Sequence, residues 1–354
     1  MRIVELLRRP RAELDPPRWL ARATVAVVLL VTAVAPLVSA PYVNFDRSMV
    51  LVYVVVGLGL NLLTGNTGQI SLGHGFFFAV GAYLSAVLVE NHDVPYLLLL
   101  PVAFAVCFVI GYLFGLPALR LHGLQLALAT LGLALVTPAV IKRFEHVTDG
   151  QAGINIAGAE PPAFSGLERD QWVYYLCLVV ALIAFFVVRR LSTGRIGRSL
   201  IGIRDYEAVA TTLGVPATRT KTTVFALSAA FAGIGGVLYS FVVQYVGPEA
   251  FGLPLAIAFI TMIVIGGLGT VPGVVFGAFF VQYVPQWTAE INQSAAGITY
   301  GAALIVFIFV IPYGLISVIR WVLGPLVSKI PGARRHRRAV SSVDEDPLEL
   351  VASH

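Results

Sequence analysis

Residues 57–88 read GLGLNLLTGNTGQISLGHGFFFAVGAYLSAVL. Two apolar runs flank a polar, glycine-broken segment that carries Thr64, Asn66, Thr67, Gln69, Ser71 and His74. Irregular polar backbone between lipid-soluble stretches is tolerated only where protein encloses it or water fills the space around it. The stretch therefore points to a solute path through a membrane protein. Composition agrees: the 354 residues are 58% hydrophobic and 12% charged, against roughly half apolar and a quarter charged in soluble domains. The two cysteines, Cys107 and Cys177, lie inside apolar runs. There they act as small hydrophobes, with neither a disulfide framework nor metal-ligand spacing.

Working outward, an all-α polytopic chain emerges. A basic arm (1–18, with Arg2, Arg8, Arg9, Arg11 and Arg18) precedes an apolar run long enough to be a retained first helix rather than a cleaved signal. A transmembrane domain over 19–320 follows, with predicted spans near 19–40, 48–63, 75–89, 96–116, 124–141, 172–188 and 224–246. The fifth carries Thr130, Thr137 and Pro138, which predict a kinked or incomplete span. Residues 255–287 are too long for one span and break at Gly266–Gly273, giving two short ones, and a last span covers 297–319. The loop 142–171 is rich in Gly, Pro and acids and is assigned outside. The segment 190–221, just after Arg189, is assigned to the cytosol, because Arg189 to Lys221 holds seven basic residues. The count is about ten spans, some short or broken, with both termini cytosolic. The tail 321–354 switches from basic to acidic, a composition that builds no core. The net charge of +5 thus reports orientation at a bilayer and not a nucleic-acid partner.

The break recurs: Gly65-x-x-Gly68 precedes Gly73 to Tyr83, and Gly266-x-x-Gly269 precedes Gly273 to Tyr283. Paired interruptions mark transport sites at repeat interfaces, and the same glycines also allow close helix packing. Gly65, Gly68, Gly73, Gly266, Gly269 and Gly273 are candidate path hinges. Asn61, Gln69, Ser71, His74 and Gln125 are candidate path residues. His74 has two readings, a titrating gate or a helix-start histidine bonded locally, and for Asn61 and Gln125 interhelical bonding is the alternative. Apolar positions at Leu200, Ile203, Val209 and Leu213 predict one amphipathic helix over Ser199–Leu213, stopped by Gly214 and Pro216.

No phosphate-binding loop, zinc-protease pair or nucleophile elbow occurs in the sequence. The spans also lack the acidic residues that ion-coupled carriers hold inside the membrane. The reading is a transporter subunit that is not itself an enzyme and needs no cofactor, with its energy supplied by another subunit. The rival is a self-sufficient channel or secondary carrier.

Three ordered motifs carry a family resemblance: LNLLTGNTGQISLGHGFFFAVGAY (60–83), GRIGRSLIGIRDYEAVATTLGV (194–215) followed by FALSAAFAGIGGVLY (225–239), and GGLGTVPGVVFGA (266–278). Over 49–314 the chain closely resembles bacterial branched-chain amino-acid ABC transporter permeases of the LivM/LivH type. The resemblance implies a type II ABC importer-like bundle in the bacterial inner membrane. It also implies a second permease as heterodimer partner, two cytosolic ATPase subunits and an extracytoplasmic solute-binding protein. By the same resemblance, Arg204, Asp205, Glu207, Ala208 and Gly214 sit in the coupling helix that docks on the ATPase. Glu207-Ala208 with Gly214 is similar to the EAA-type loop, with spacing slightly off its commonest form, so the docking role carries over and individual contacts do not. The resemblance implies that Gly65–Gly75 lies beside the translocation path, and the span count places its polar turn at the cytosolic end of a helix pair, or dipping in from there, as a flexible path-lining joint. Urea and short-chain amide importers share this permease type, which leaves the substrate open.

Overall fold

The computed structural model describes residues 13–15, 18–92, 94–118, 123–162, 165–291, 301–302, 304–307, 314 and 334–336. Most of the basic arm, the connection at Arg120 and His122, most of the last expected span and nearly all of the tail lie outside them. The chain forms two units, Met1–Thr32 with Val318–His354, and Ala33–Ser317. In the first, β1 (Glu13–Asp15) pairs antiparallel with Arg334–His336. Helix α1 (Arg18–Val38) begins in that unit.

Among its described residues, the second unit is helical apart from one short ribbon. It comprises α2 (Pro41–Thr67), α3 (His74–His92), α4 (Tyr96–Ala118), α5 (Leu124–Arg143), the single turn α6 (Glu145–Thr148), α7 (Arg169–Thr193), α8 (Arg195–Asp205), α9 (Glu207–Thr212), α10 (Ala217–Val243), α11 (Leu253–Gly266) and α12 (Val271–Ile291). Among the described residues, α2, α4, α5, α7 and α10 are long and apolar enough to cross a bilayer.

Small residues decide which helices are central. Lipid gives no hydrophobic drive for one helix to join another, so association depends on close backbone approach and interhelical hydrogen bonds. Helix α10 supplies both. A Cβ at Gly81 of α3 would collide with the Gly233 carbonyl, and one at Gly236 with the Phe78 carbonyl. Gly111 of α4 lies over Ala226 and Ala229, and Gly59 of α2 against Phe231. Two serine bridges tie α3 to α10: Ser85 to Ser240 (2.5 Å) and His74 to Ser228 (2.5 Å). As a result, 83% of the apolar window of α2 is buried but only 22% of that of α4. The outer faces of α4, α5 and α7 are left for lipid or another subunit.

The helices alternate between two ends. At one end, Gly65 contacts Gly269, Leu72 bonds Thr130, and α8 reaches Gly65. At the other, Asn44 bonds Asp170 (2.7 Å), Gln282 and Gln286 both donate to Asp46, and Lys142 pairs with Glu249. Here the loop after α6 is folded down: β2 (Ile154–Asn155) pairs with β3 (Tyr245–Val246), and Ile154 and Ile156 are buried.

Several sequence expectations change. The second span runs 27 residues instead of 48–63, because Asn44 and Thr64 find partners inside the bundle and need not end the helix. Helix α5 continues from Leu124 to Arg143 through Pro138, without the expected interruption. The amphipathic helix expected over Ser199–Leu213 is two helices, α8 and α9, divided at Tyr206, whose φ of −147° and ψ of 78° are not helical. The second break shrinks to the turn between Gly266 and Val271.

Replacing Gly81 by Leu is expected to lower the stability of the purified protein by about 2 kcal/mol or more, through overpacking against Gly233. Gly132→Ala, in a helical position with open space around it, is expected to be neutral or stabilising by up to about 1 kcal/mol. Thermal unfolding in detergent checks both; equal effects would contradict the packing argument.

Candidate functional site

The last turn of α2 is where the two helix breaks meet. The helix passes through Gly65 without interruption and ends at Gly68, whose φ of 72° is the left-handed cap conformation that glycine adopts without a Cβ penalty. Its N–H bonds the Thr64 carbonyl, and Thr64 Oγ1 donates to the Gln69 carbonyl (3.0 Å). On the neighbouring face, Asn61 Oδ1 accepts from the backbone N–H of Gly269 (2.8 Å). A Cβ at Gly65 would collide with that same Gly269 nitrogen. Gly269 itself is left-handed at φ 77°, and Thr270 Oγ1 closes its turn on the Gly267 carbonyl. Gly266 lies against Gly273, so the second break is as tight as the first.

Between the first break and α3, Ser71 and His74 form a buried chain. Ser71 Oγ lies 3.2 Å from His74 Nδ1, and His74 Nε2 lies 2.5 Å from Ser228 Oγ on α10. Both imidazole nitrogens are thereby occupied by hydroxyls. Leu72 N–H bonds Thr130 Oγ1 on α5, and Gly73 lies against the Thr130 carbonyl.

The sequence-derived site residues thus divide. Asn61, Gln69, Ser71 and His74 gather around the junction, as do Gly65, Gly68, Gly73, Gly266, Gly269 and Gly273. Gln125 does not join them; it is exposed in the first turn of α5. Asn61 Nδ2, Asn66 Oδ1 and Gln69 Oε1 are buried without a hydrogen-bond partner. Native interiors leave few such atoms, so spare hydrogen-bonding capacity is concentrated at this turn. Ser228 and Thr130 were not singled out as site residues. Their sequence signal is a small hydroxyl inside an apolar run, the usual form of an interhelical bond.

Against the same end folds the α8–α9 segment. Leu200 is buried in the main core, while Ile203, Ala210, Val215 and Ala217 form a small core of their own. Gly214, at φ 86°, closes α9, with Val215 N–H returning to the Ala210 carbonyl. The charges named from sequence have partners within the chain: Glu207 with Lys221 (2.6 Å), and Asp205 with Arg204 (2.8 Å). Among its exposed side chains, beside Arg198, Thr211 and Thr212, are three large apolar ones, with Tyr206 74%, Val209 55% and Leu213 79% exposed. A crevice of about 270 Å³ between α2, α8 and α10 is lined by Leu62, Leu191, Ile196, Leu200, Val224 and Leu227, with Arg219, Thr220 and Thr223. None of the candidate path residues lines it.

Comparisons with known proteins place this geometry. The family described as branched-chain amino acid transport system / permease component matches residues 47–311. The chain is similar to the high-affinity branched-chain amino acid transport system permease protein LivM of Salmonella typhimurium, at 30% identity over 298 residues covering 77% of this chain and 69% of the relative. It is similar to LivM of Escherichia coli at 28% identity, covering 84% of this chain and 75% of the relative. LivH of Salmonella typhimurium is 21% identical over 75% of this chain and 91% of its own length. No solved structure matches.

His74→Ala is expected to cost about 2–4 kcal/mol, by emptying a packed site and leaving the two serines unpaired. His74→Gln, whose amide still reaches one hydroxyl, is expected to recover part of that loss. Thermal melts of the purified variants decide. A neutral His74→Ala would contradict the bridging role.

Proposed function

The chain belongs to the branched-chain amino acid transport permease family, and from this premise we propose that it works as the membrane subunit of an ATP-driven importer for branched-chain aliphatic amino acids. It forms the translocation path together with a second permease, and separate cytosolic ATPase subunits hydrolyse the ATP. An extracytoplasmic binding protein delivers the solute. Branched-chain amino acids are favoured over urea or short-chain amides because the similar LivM and LivH proteins are branched-chain amino acid permeases.

The observation that carries the reading is the α8–α9 knob. Tyr206, Val209 and Leu213 fall at i, i+3 and i+7 and stand exposed on a segment whose basic flanks assign it to the cytosol. Exposed apolar side chains grouped outside the bilayer are the usual mark of a protein partner. The charges beside them are engaged within the chain, so the contact rests on the apolar face. The ATPase is the occupant implied by the position of this segment in the family pattern.

The same assignment orients the bundle. The end holding Gly65 and Gly269 faces the cytosol, and the end holding Asp46, Asp170 and the β2–β3 ribbon faces outward. With α1 and a last span at 297–319 the count becomes ten, and both termini are cytosolic. The folded loop over 142–171, with Glu145, Asp149 and Glu160 exposed, offers the binding protein an acidic platform. Asn61, Asn66 and Gln69 carry the spare hydrogen-bonding groups nearest the path.

Leucine uptake into proteoliposomes is expected to need ATP and the ATPase subunits. Val209→Asp or Leu213→Asp is expected to weaken retention of the ATPase on the purified permease by about tenfold or more, as burying a charge at an apolar contact does. Uptake by this chain alone without ATP would overturn the importer reading in favour of a channel or carrier.

A further inference from the structure

We propose that Arg204 is a positioning residue that carries movement of the cytosolic α8–α9 segment into the membrane part of the chain, by holding the end of α2. The inference rests on the importer reading above and adds to it the internal linkage. Its geometric basis is that the guanidinium of Arg204, a side chain still 39% exposed, reaches back to the end of α2. Its Nη1 donates to the Gly65 carbonyl at 2.9 Å, while Nε pairs with Asp205 at 2.8 Å. Its aliphatic stem lies over Gly68, where a Cβ would come within 2.9 Å of Arg204 Cγ.

The last carbonyls of a helix run out of backbone donors four residues on. Thr64 still has the Gly68 N–H, whereas Gly65 takes its donor from Arg204. A guanidinium at a helix C-terminus is also favoured by the helix dipole, and its planar fork fixes direction where an apolar contact does not. The other anchor of α8, Leu200, is buried in the core and resists withdrawal without setting an angle. Arg204 therefore determines how α8 is oriented on α2.

The contact continues beyond Gly65. Gly65 abuts Gly269, and one turn earlier Asn61 holds the Gly269 N–H. A displacement of Arg204 is thus passed through one helical turn to both breaks. On its other side, Arg204 lies two residues before Tyr206, where α8 gives way to α9. The outward apolar face begins at that residue, so partner contact and inward tether are adjacent but made by different side chains.

The test uses the complete transporter in proteoliposomes, with ATPase retention, ATP hydrolysis and leucine uptake measured together. In Arg204→Ala and Arg204→Gln the ATPase subunits are expected to stay bound while leucine taken up per ATP hydrolysed falls roughly tenfold, the scale of one lost charge-assisted hydrogen bond. Arg204→Lys, which can still donate to the Gly65 carbonyl, is expected to restore part of the ratio. Asn61→Leu, which removes the acceptor for Gly269, is expected to lower the same ratio, and Asn61→Asp to restore it. An unchanged ratio in Arg204→Ala overturns the inference, as does loss of the ATPase from the complex, which would make Arg204 a docking contact. If Arg204→Ala is poorly produced, Asn61→Leu decides by the same ratio. Wild-type complex without ATP-dependent uptake would overturn the importer reading and this inference together, whereas intact wild-type uptake with unchanged variants overturns the inference alone.

Discussion

A helix that ends inside a packed bundle leaves carbonyls without a backbone donor, and partners must come from elsewhere in the protein. At the end of α2 the Gly68 amide serves Thr64 and the Arg204 guanidinium serves Gly65. The opposite deficit, an N–H at the second break, is met by Asn61 with Gly269. Two helix breaks that would each be costly alone are made compatible by contact with each other. Only glycine at 65 lets the two backbones approach closely enough, and glycine at 269 holds the left-handed turn at φ 77°. The position of the cytosolic segment follows from this, because its arginine completes the arrangement.

The spine formed by α3 and α10 explains why this junction stays in place. Gly81, Gly233 and Gly236 bring the two helices into backbone contact, and the His74–Ser228 and Ser85–Ser240 bridges fasten both ends of the pair. A buried polar network with its partners present rigidifies what it joins. His74 thereby ties α3 to α10, with serine hydroxyls at both ring nitrogens. The turns on either side, Gly68–Gly73 and Gly267–Thr270, carry the left-handed glycines Gly68, Gly267 and Gly269.

Much of this was legible in the sequence and some of it could not be. Composition revealed a membrane bundle, and the glycine spacing marked both breaks. Periodicity predicted a helix at Ser199–Leu213 but missed its division at Tyr206, because apolar spacing is preserved across the kink. The polar residues at both ends of α2 shortened the predicted span, since hydropathy counts Asn44 and Thr64 as costs without seeing the partners that offset them. That Gly65 meets Gly269 joins residues about two hundred positions apart, and no local pattern encodes it. Ser228 looked like one more small residue in FALSAAFAG, and only the fold brings it to His74.

The charged residues of the α8–α9 segment show how far residue type alone can mislead. An Arg-Asp-x-Glu cluster on a helix between membrane spans invites a reading of surface electrostatics, in which each charge awaits a partner on another protein. Exposed ion pairs contribute little and are screened by salt, so such a surface would make a weak and unselective joint. In the folded chain Glu207 is engaged by Lys221, Asp205 steadies Arg204, and Arg204 reaches inward to Gly65. The charges shape the segment and fix it to α2, with Tyr206, Val209 and Leu213 among its exposed side chains. The segment thus combines exposed apolar side chains with a directional hydrogen bond back to α2.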